Sequence, residues 1–222
     1  MLVGFLIAMA RPTTDNVSRW RRAWKNGCHH SRMLLRLTKG LMVTDHQMSV
    51  MHRLMELLSR LVWQLPQTIG GLLTAMTHVI FEIRGGVISV DYCRGATVVA
   101  TRRTDWGAVS QGSIIVGCSV IEANEQNWLF RHEYGHYLQS QRMGWAYYSR
   151  VGIPSVLSRQ FHNIQPVEQD ANRRSALFFG TTQHNLLSVT SRWYDYVAWL
   201  LPLLGTVAVG LLHRNRDEKM IQ

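Results

Sequence analysis

The stretch Asn124-Glu125-Gln126-Asn127-Trp128-Leu129-Phe130-Arg131-His132-Glu133-Tyr134-Gly135-His136-Tyr137 decides how the rest of this chain is read. Asn124 is a residue type that caps helices, and Glu125 follows in the first turn, where the helix dipole favours an acid. The expected helix runs from about Glu125 to Met143 and stops at Gly144. His132 and His136 are four residues apart, so both imidazoles lie on one helix face and can reach one metal ion. Zinc is the expected ion, because it takes nitrogen and oxygen ligands in a tetrahedron and keeps one corner open in catalytic sites. Glu133, beside the first histidine, can take a proton from an activated water and return it to a leaving group. Gly135 is worse in a helix than alanine by about 1 kcal/mol, which points to a strand passing close by.

A third ligand is expected downstream. The position six beyond His136 is Arg142, so no histidine follows at that spacing. A second helix is predicted over Val167 to Phe179, closed by Gly180. It carries Glu168 and Asp170, the only acidic residues between His136 and Asp195. Glu168 is the preferred ligand and Asp170 the alternative; either acid would also stabilise the first turn of its own helix.

Upstream of the motif the pattern has period two. After Gly85-Gly86, the segments Val87 to Tyr92, Ala96 to Arg102 and Ser113 to Val120 are rich in Val, Ile, Tyr and Thr. Turns are expected at Gly95 and across Gly107 to Gly112. The reading is an α+β domain in which a small, mostly antiparallel sheet packs on the motif helix and the third-ligand helix, with apolar helices flanking them.

The pair His132-Glu-Tyr-Gly-His136 and Glu168-x-x-Ala171-Asn172-x-x-x-Ala176 resembles the gluzincin pattern HExxH…ExxADxxxA of zinc metallopeptidases, some of them membrane-linked. The wider stretch from His132 to Ser140, then Gly144-Trp145, Tyr147 and Gly152 to Ser155, is similar to a group of small bacterial proteins with a compact zincin core, as is Trp63-Gln-Leu-Pro-Gln67. The resemblance covers roughly residues 60 to 180. It implies a minimal zincin-like fold, zinc held by His132, His136 and Glu168, Glu133 as general base, and peptide hydrolysis on a peptide or protein substrate. The pattern's aspartate, which braces a ligand histidine, falls on Asn172, whose amide can accept the same hydrogen bond without the negative charge. His162, Tyr147 and Tyr148 are candidates for polarising a substrate carbonyl.

Outside that core the chain reads differently. Residues 1–47 carry eight Lys/Arg against two Asp, so 8 − 2 = 6 of the net charge of +10 lies there. The span Arg19 to Lys39 is basic without a clean helical period and is open to three readings: a targeting segment, a membrane-surface helix, or an extension ahead of a later start at Met48 or Met51. Residues 1–47 are therefore set apart as a basic N-terminal extension. Residues 48–84 combine an amphipathic helix, Met51 to Arg60, with an uncharged run from Leu61 to Phe81 that is long enough to cross a membrane. Pro66 and Gly70-Gly71 leave a re-entrant hairpin or a buried helix pair equally open. Residues 85–185 are the expected catalytic core. Residues 186–222 hold a second apolar run, Tyr196 to Leu212, and an aromatic cluster at Trp193, Tyr194, Tyr196 and Trp199 suited to a membrane interface.

With 46% hydrophobic and 17% charged residues, membrane association is expected. No aromatic-interleaved basic motif or nucleic-acid module is present in the sequence, so nucleic acid is not the expected partner. Cys28, Cys93 and Cys118 form no CxxC pair, and Cys28 with His29-His30 has no partner spacing for a second metal site. The rival function is a non-catalytic, membrane-associated zinc protein that uses the site as a staple, and Asn172 is the feature that favours it.

Overall fold

The computed structural model describes residues 16–81, 86–157 and 165–181. Two compact units, Met1–Trp145 and Ala146–Gln222, make up the chain. That division falls inside the span 85–185 expected as one core.

In the first unit the sheet organises everything else. Strand β1 (Val87–Cys93) turns through Arg94 and Gly95 into β2 (Ala96–Thr101), with Cys93 opposite Ala96. Arg94 and Gly95 have φ of 50° and 80°, the pair of positive values that a tight two-residue hairpin requires. Strands β3 (Ala108–Gln111) and β4 (Ile114–Gly117) form a second hairpin, and β4 then pairs with β2 in parallel. The order is therefore β1-β2-β4-β3, a mixed sheet with two antiparallel pairings and one parallel. All six residues of β2 are buried, as expected of a strand covered on both faces. Strand β3 was expected to be turn, because its four residues lie inside the glycine-bounded stretch 107–112; its pairing to β4 makes it an edge strand.

Helices α1 (Asn16–Gly40) and α3 (Leu65–Ile80) cover one side of the sheet. Their Met33, Leu37, Ala75 and Val79 pack with Val90, Val99, Ile114 and Val116. Arg19 to Lys39 lies within helix α1, and Met33 and Leu37 of that helix join the core. Among its described side chains, Met33 and Leu37 are the apolar ones buried in the core cluster, with Leu34 beside them, so the apolar period is sparse among the arginines and lysines. The boundary placed at residue 47 thus cuts behind a helix that belongs to the core.

The apolar run from Leu61 to Phe81 is not one span. A π-helical turn, Ser59–Trp63, follows α2 (Val50–Leu58), and α3 begins only at Leu65, with Pro66 in its first turn. Among the described residues no helix is long and apolar enough to cross a membrane. Helix α3 buries Gln67, Thr68 and His78 along with Ala75 and Val79, a mixed face made for protein. Gly71 is a place of close approach: a Cβ there would come 2.7 Å from the Gln111 carbonyl oxygen. The Tyr196 to Leu212 run and the aromatic cluster at 193–199 lie outside the described residues.

The motif helix α4 runs from Trp128 to Met143 and packs on β3 and β4. It starts three residues later than expected, because Asn127 and not Asn124 is the cap: its side chain accepts the Phe130 N–H at 2.9 Å. Asn124 accepts from Gln126 N–H at 2.9 Å in the preceding turn, and Glu125 therefore lies ahead of the helix, 3.8 Å from Arg94 Nε. The end at Gly144, with φ 51°, is as expected.

The described part of the second unit contains a π-helical turn (Tyr148–Gly152), the short α5 (Ile153–Leu157) and α6 (Pro166–Phe179). Helix α6 has a proline in its first turn, Glu168 close behind, and Gly180 at φ 63° closing it. Glu168, Ala171, Ser175 and Ala176 form its buried face.

Candidate metal centre

Helix α4 buries polar side chains that a surface helix would turn outward. Glu133 and His136 are 4% and 5% exposed, and Gln139 and Ser140 are buried with them. Each imidazole position follows from the four-residue spacing, and the rings of His132 and His136 stand edge to face with centroids 5.0 Å apart. His136 Nδ1 lies 2.8 Å from Gln139 Oε1, a contact of the kind that orients a ligand imidazole from its other nitrogen. Gln139 lies one turn beyond its histidine on the same helix, and sequence reasoning passed over it. The signal was there in the i,i+3 spacing, but a glutamine at that spacing is ordinary on any helix.

His132, His136 and Glu168 form a group that could hold a metal ion: one nitrogen of each histidine and one carboxylate oxygen lie within 4.8 Å of one another. The donor set is two imidazoles and a carboxylate, which is the combination of a catalytic zinc site with one position left for a non-protein ligand. The Glu168 carboxylate of this group is 1% exposed and Glu133, next to His132 in the chain, is 4% exposed, and a divalent cation balances buried carboxylate charge. The residues therefore fit the expected ion.

Of the two acids on α6, Glu168 is the one in this group. Asp170 points its carboxylate at two arginines of its own helix, Arg173 at 2.7 Å and Arg174 at 2.6 Å. Those i,i+3 and i,i+4 pairs are what an acid near a helix start finds when basic residues follow it. Asn172 is half-buried on α6. Tyr148 is half-buried in the π-helical turn, where burial pushes its phenol up, and its ring meets that of the buried Tyr147 at 5.8 Å. His162 lies outside the described residues.

The opposite side of α4 is anchored by an inward-facing charge network that the sequence did not announce. Arg60, 1% exposed, forms an ion pair with Glu56 one turn earlier. It also donates to the carbonyls of Leu41 (3.0 Å), Val43 (2.6 Å) and Gly95 (2.8 Å), and to Tyr137 Oη at 3.2 Å. Tyr137 Oη in turn donates to Glu56 Oε1 at 2.7 Å. Tyr134 Oη donates to the Arg94 carbonyl at 2.9 Å, so Tyr134 ties α4 to the β1–β2 hairpin while Tyr137 ties it to Glu56 and Arg60. Burial works against the Arg60 charge, but Tyr137 and Glu56 outweigh it and hold the guanidinium above its usual pKa. Burial also pushes both phenols up, and neither tyrosine ionises in the neutral range. The network fixes the azimuth of α4, and hence the direction in which His132 and His136 point.

Compared with protein-family models, curated proteins and solved structures, the chain matches none.

Proposed function

We propose that this chain is a zinc-dependent peptidase with a compact, zincin-like α+β core similar to that of the gluzincins. The observation that carries the reading is the convergence of His132, His136 and Glu168, with Glu133 buried next to the first histidine. His132, His136 and Glu168 hold the ion. When bound, zinc supplies Lewis acidity for a carbonyl oxygen and for water. Glu133 takes the proton of the attacking water and delivers it to the amine nitrogen as the peptide C–N bond breaks. Gln139 keeps the His136 ring oriented through Nδ1. Strand β3, at the edge of the sheet and against α4, offers backbone groups to an extended peptide as an added strand.

The test is metal content and hydrolysis measured on the same samples. One zinc per chain by elemental analysis, retained in Glu133→Gln while cleavage of a peptide library is lost, is the expected result. A purified wild-type chain without zinc would remove the basis of the reading. A second reading, a zinc protein without catalysis, is favoured by Asn172, which brings no charge to the position where the resembling pattern has an acid. Zinc at full occupancy with no cleavage by the wild type would decide for it.

A further inference from the structure

Helix α2 and the π-helical turn after it are built inside out. Val50, Met51, Leu54, Met55, Leu58 and Leu61 follow helical spacing along one side, and each is between 52% and 71% exposed. The opposite side carries Glu56 and Arg60, which are buried. A helix stabilised by the interior of its own domain turns its apolar stripe inward, so this stripe serves something other than the fold. A contiguous exposed apolar surface of this kind marks an interaction site.

The charge of the same part of the chain names the partner. Between residues 16 and 81 the acids are Asp45 and Glu56 alone, and both are buried. Arg21, Lys25, Arg32 and Lys39 of α1 are exposed, so the outer surface of this segment carries positive charge and no carboxylate. The Arg60 bonds to the Leu41 and Val43 carbonyls join the stretch just after α1 to the buried side of the same segment. Trp20 and Trp24 of α1 are 57% and 58% exposed between those cations. Next to the stripe, Trp63 and Trp145 donate their indole N–H groups to the Gln141 and Val62 carbonyls at 3.0 and 2.9 Å, and their rings remain exposed. Exposed tryptophans with satisfied N–H groups, basic side chains and a helical apolar stripe are the parts of a surface that lies at the boundary of a bilayer. A second copy of the chain would bring the same positive charge to the contact, which opposes that occupant.

We propose that residues 50–62 form the apolar face by which this chain lies on an anionic lipid bilayer, drawn there by the cations of α1. The apolar side chains enter the boundary between headgroups and acyl chains, and the helix runs in the membrane plane without crossing it. This inference does not rest on the metal centre.

The experiment is flotation of the full chain with vesicles of phosphatidylcholine alone and of phosphatidylcholine mixed with phosphatidylglycerol. Binding is expected to the mixed vesicles only, weakening as salt is raised. Leu54→Glu with Leu58→Glu should lower the partition coefficient by about tenfold or more. Arg21→Gln with Lys25→Gln should lower it by about fivefold for each charge removed. Both variants change exposed side chains, and an unchanged far-ultraviolet circular dichroism melt verifies their fold. Glu133→Gln should float as the wild type does, which separates this result from that of the peptidase reading. Equal binding to neutral vesicles, or no binding to either, overturns the proposal. So does a dimer in sedimentation equilibrium that Leu54→Glu with Leu58→Glu dissolves, because the stripe would then face a second copy.

Discussion

Helices α4 and α2 break the ordinary rule of apolar inside and polar outside in complementary ways. Helix α4 buries Glu133, His136 and Gln139, the groups the proposed peptidase chemistry would use, and each must then be matched by other polar atoms. Helix α2 buries Glu56, and the turn beyond it Arg60, to tie down distant backbone, which leaves the apolar side chains outside. In the proposed reading the buried polar groups of α4 are the working parts. Those of α2 and the turn after it are fasteners, and the working part proposed there is the hydrocarbon left at the surface. The two meet at Tyr137, which belongs to α4 and bonds the α2 carboxylate.

The largest expected effect comes from cutting the fastener on one side only. Arg60→Met leaves the Glu56 carboxylate buried without its guanidinium, and a loss of about 3–5 kcal/mol in urea-unfolding free energy is expected. Glu56→Met with Arg60→Met should recover most of that loss; if it does not, the ion pair is more than a fastener. Next in size is the orienting bond on the other helix. Gln139→Leu should weaken zinc binding by about 10–100-fold in a competition titration with a chelator. Asp170→Ala, in contrast, should leave zinc affinity unaltered, since its carboxylate serves Arg173 and Arg174. Asn127→Ala removes the cap of α4 and should cost about 1 kcal/mol in stability, read as a shifted urea midpoint at unchanged slope. The smallest effect belongs to the stripe. Leu54→Gln should change stability by no more than about 0.5 kcal/mol, because that side chain contributes little to the fold. A large loss there would show that the stripe is covered in the folded chain and would erase the contrast between the helices.

How much of this was legible beforehand depended on whether a feature is local. Helix α6 and the end of α4 were readable because Gly144 and Gly180 stop helices by a backbone preference that acts within a turn. His132 and His136 were readable from spacing alone. Glu168 was favoured over Asp170 on sequence, and the arginines that occupy Asp170 supply the physical ground. What was not legible needed knowledge of the other side of a contact. The pattern of residues 50–61 showed that a helix was amphipathic, but periodicity does not say which face turns inward. The count of apolar residues from Leu61 to Phe81 suggested a span, and could not reveal that Gln67, Thr68 and His78 would find partners in a protein interior. Strand β3 is four residues long and exists only because β4 pairs with it. The core positions of α1 were too thinly spread among basic residues to register as a period.

Arg60 also bears on the order in which this chain acquires its structure. The groups that its guanidinium engages lie 4, 17, 19, 20, 35 and 77 residues away along the chain. The nearest partner forms within a nascent helix and the next three need the end of α1 alongside, but the last two, Gly95 and Tyr137, require the β1–β2 hairpin and α4 to be in place. Closing such long loops is costly in entropy before any reward arrives, so this junction is expected to close late, after the folding barrier. A late-closing junction acts as a latch. It does little to hasten assembly and much to delay opening, so Arg60→Met should steepen the loss of native lifetime in stopped-flow unfolding while refolding rates stay close to those of the wild type.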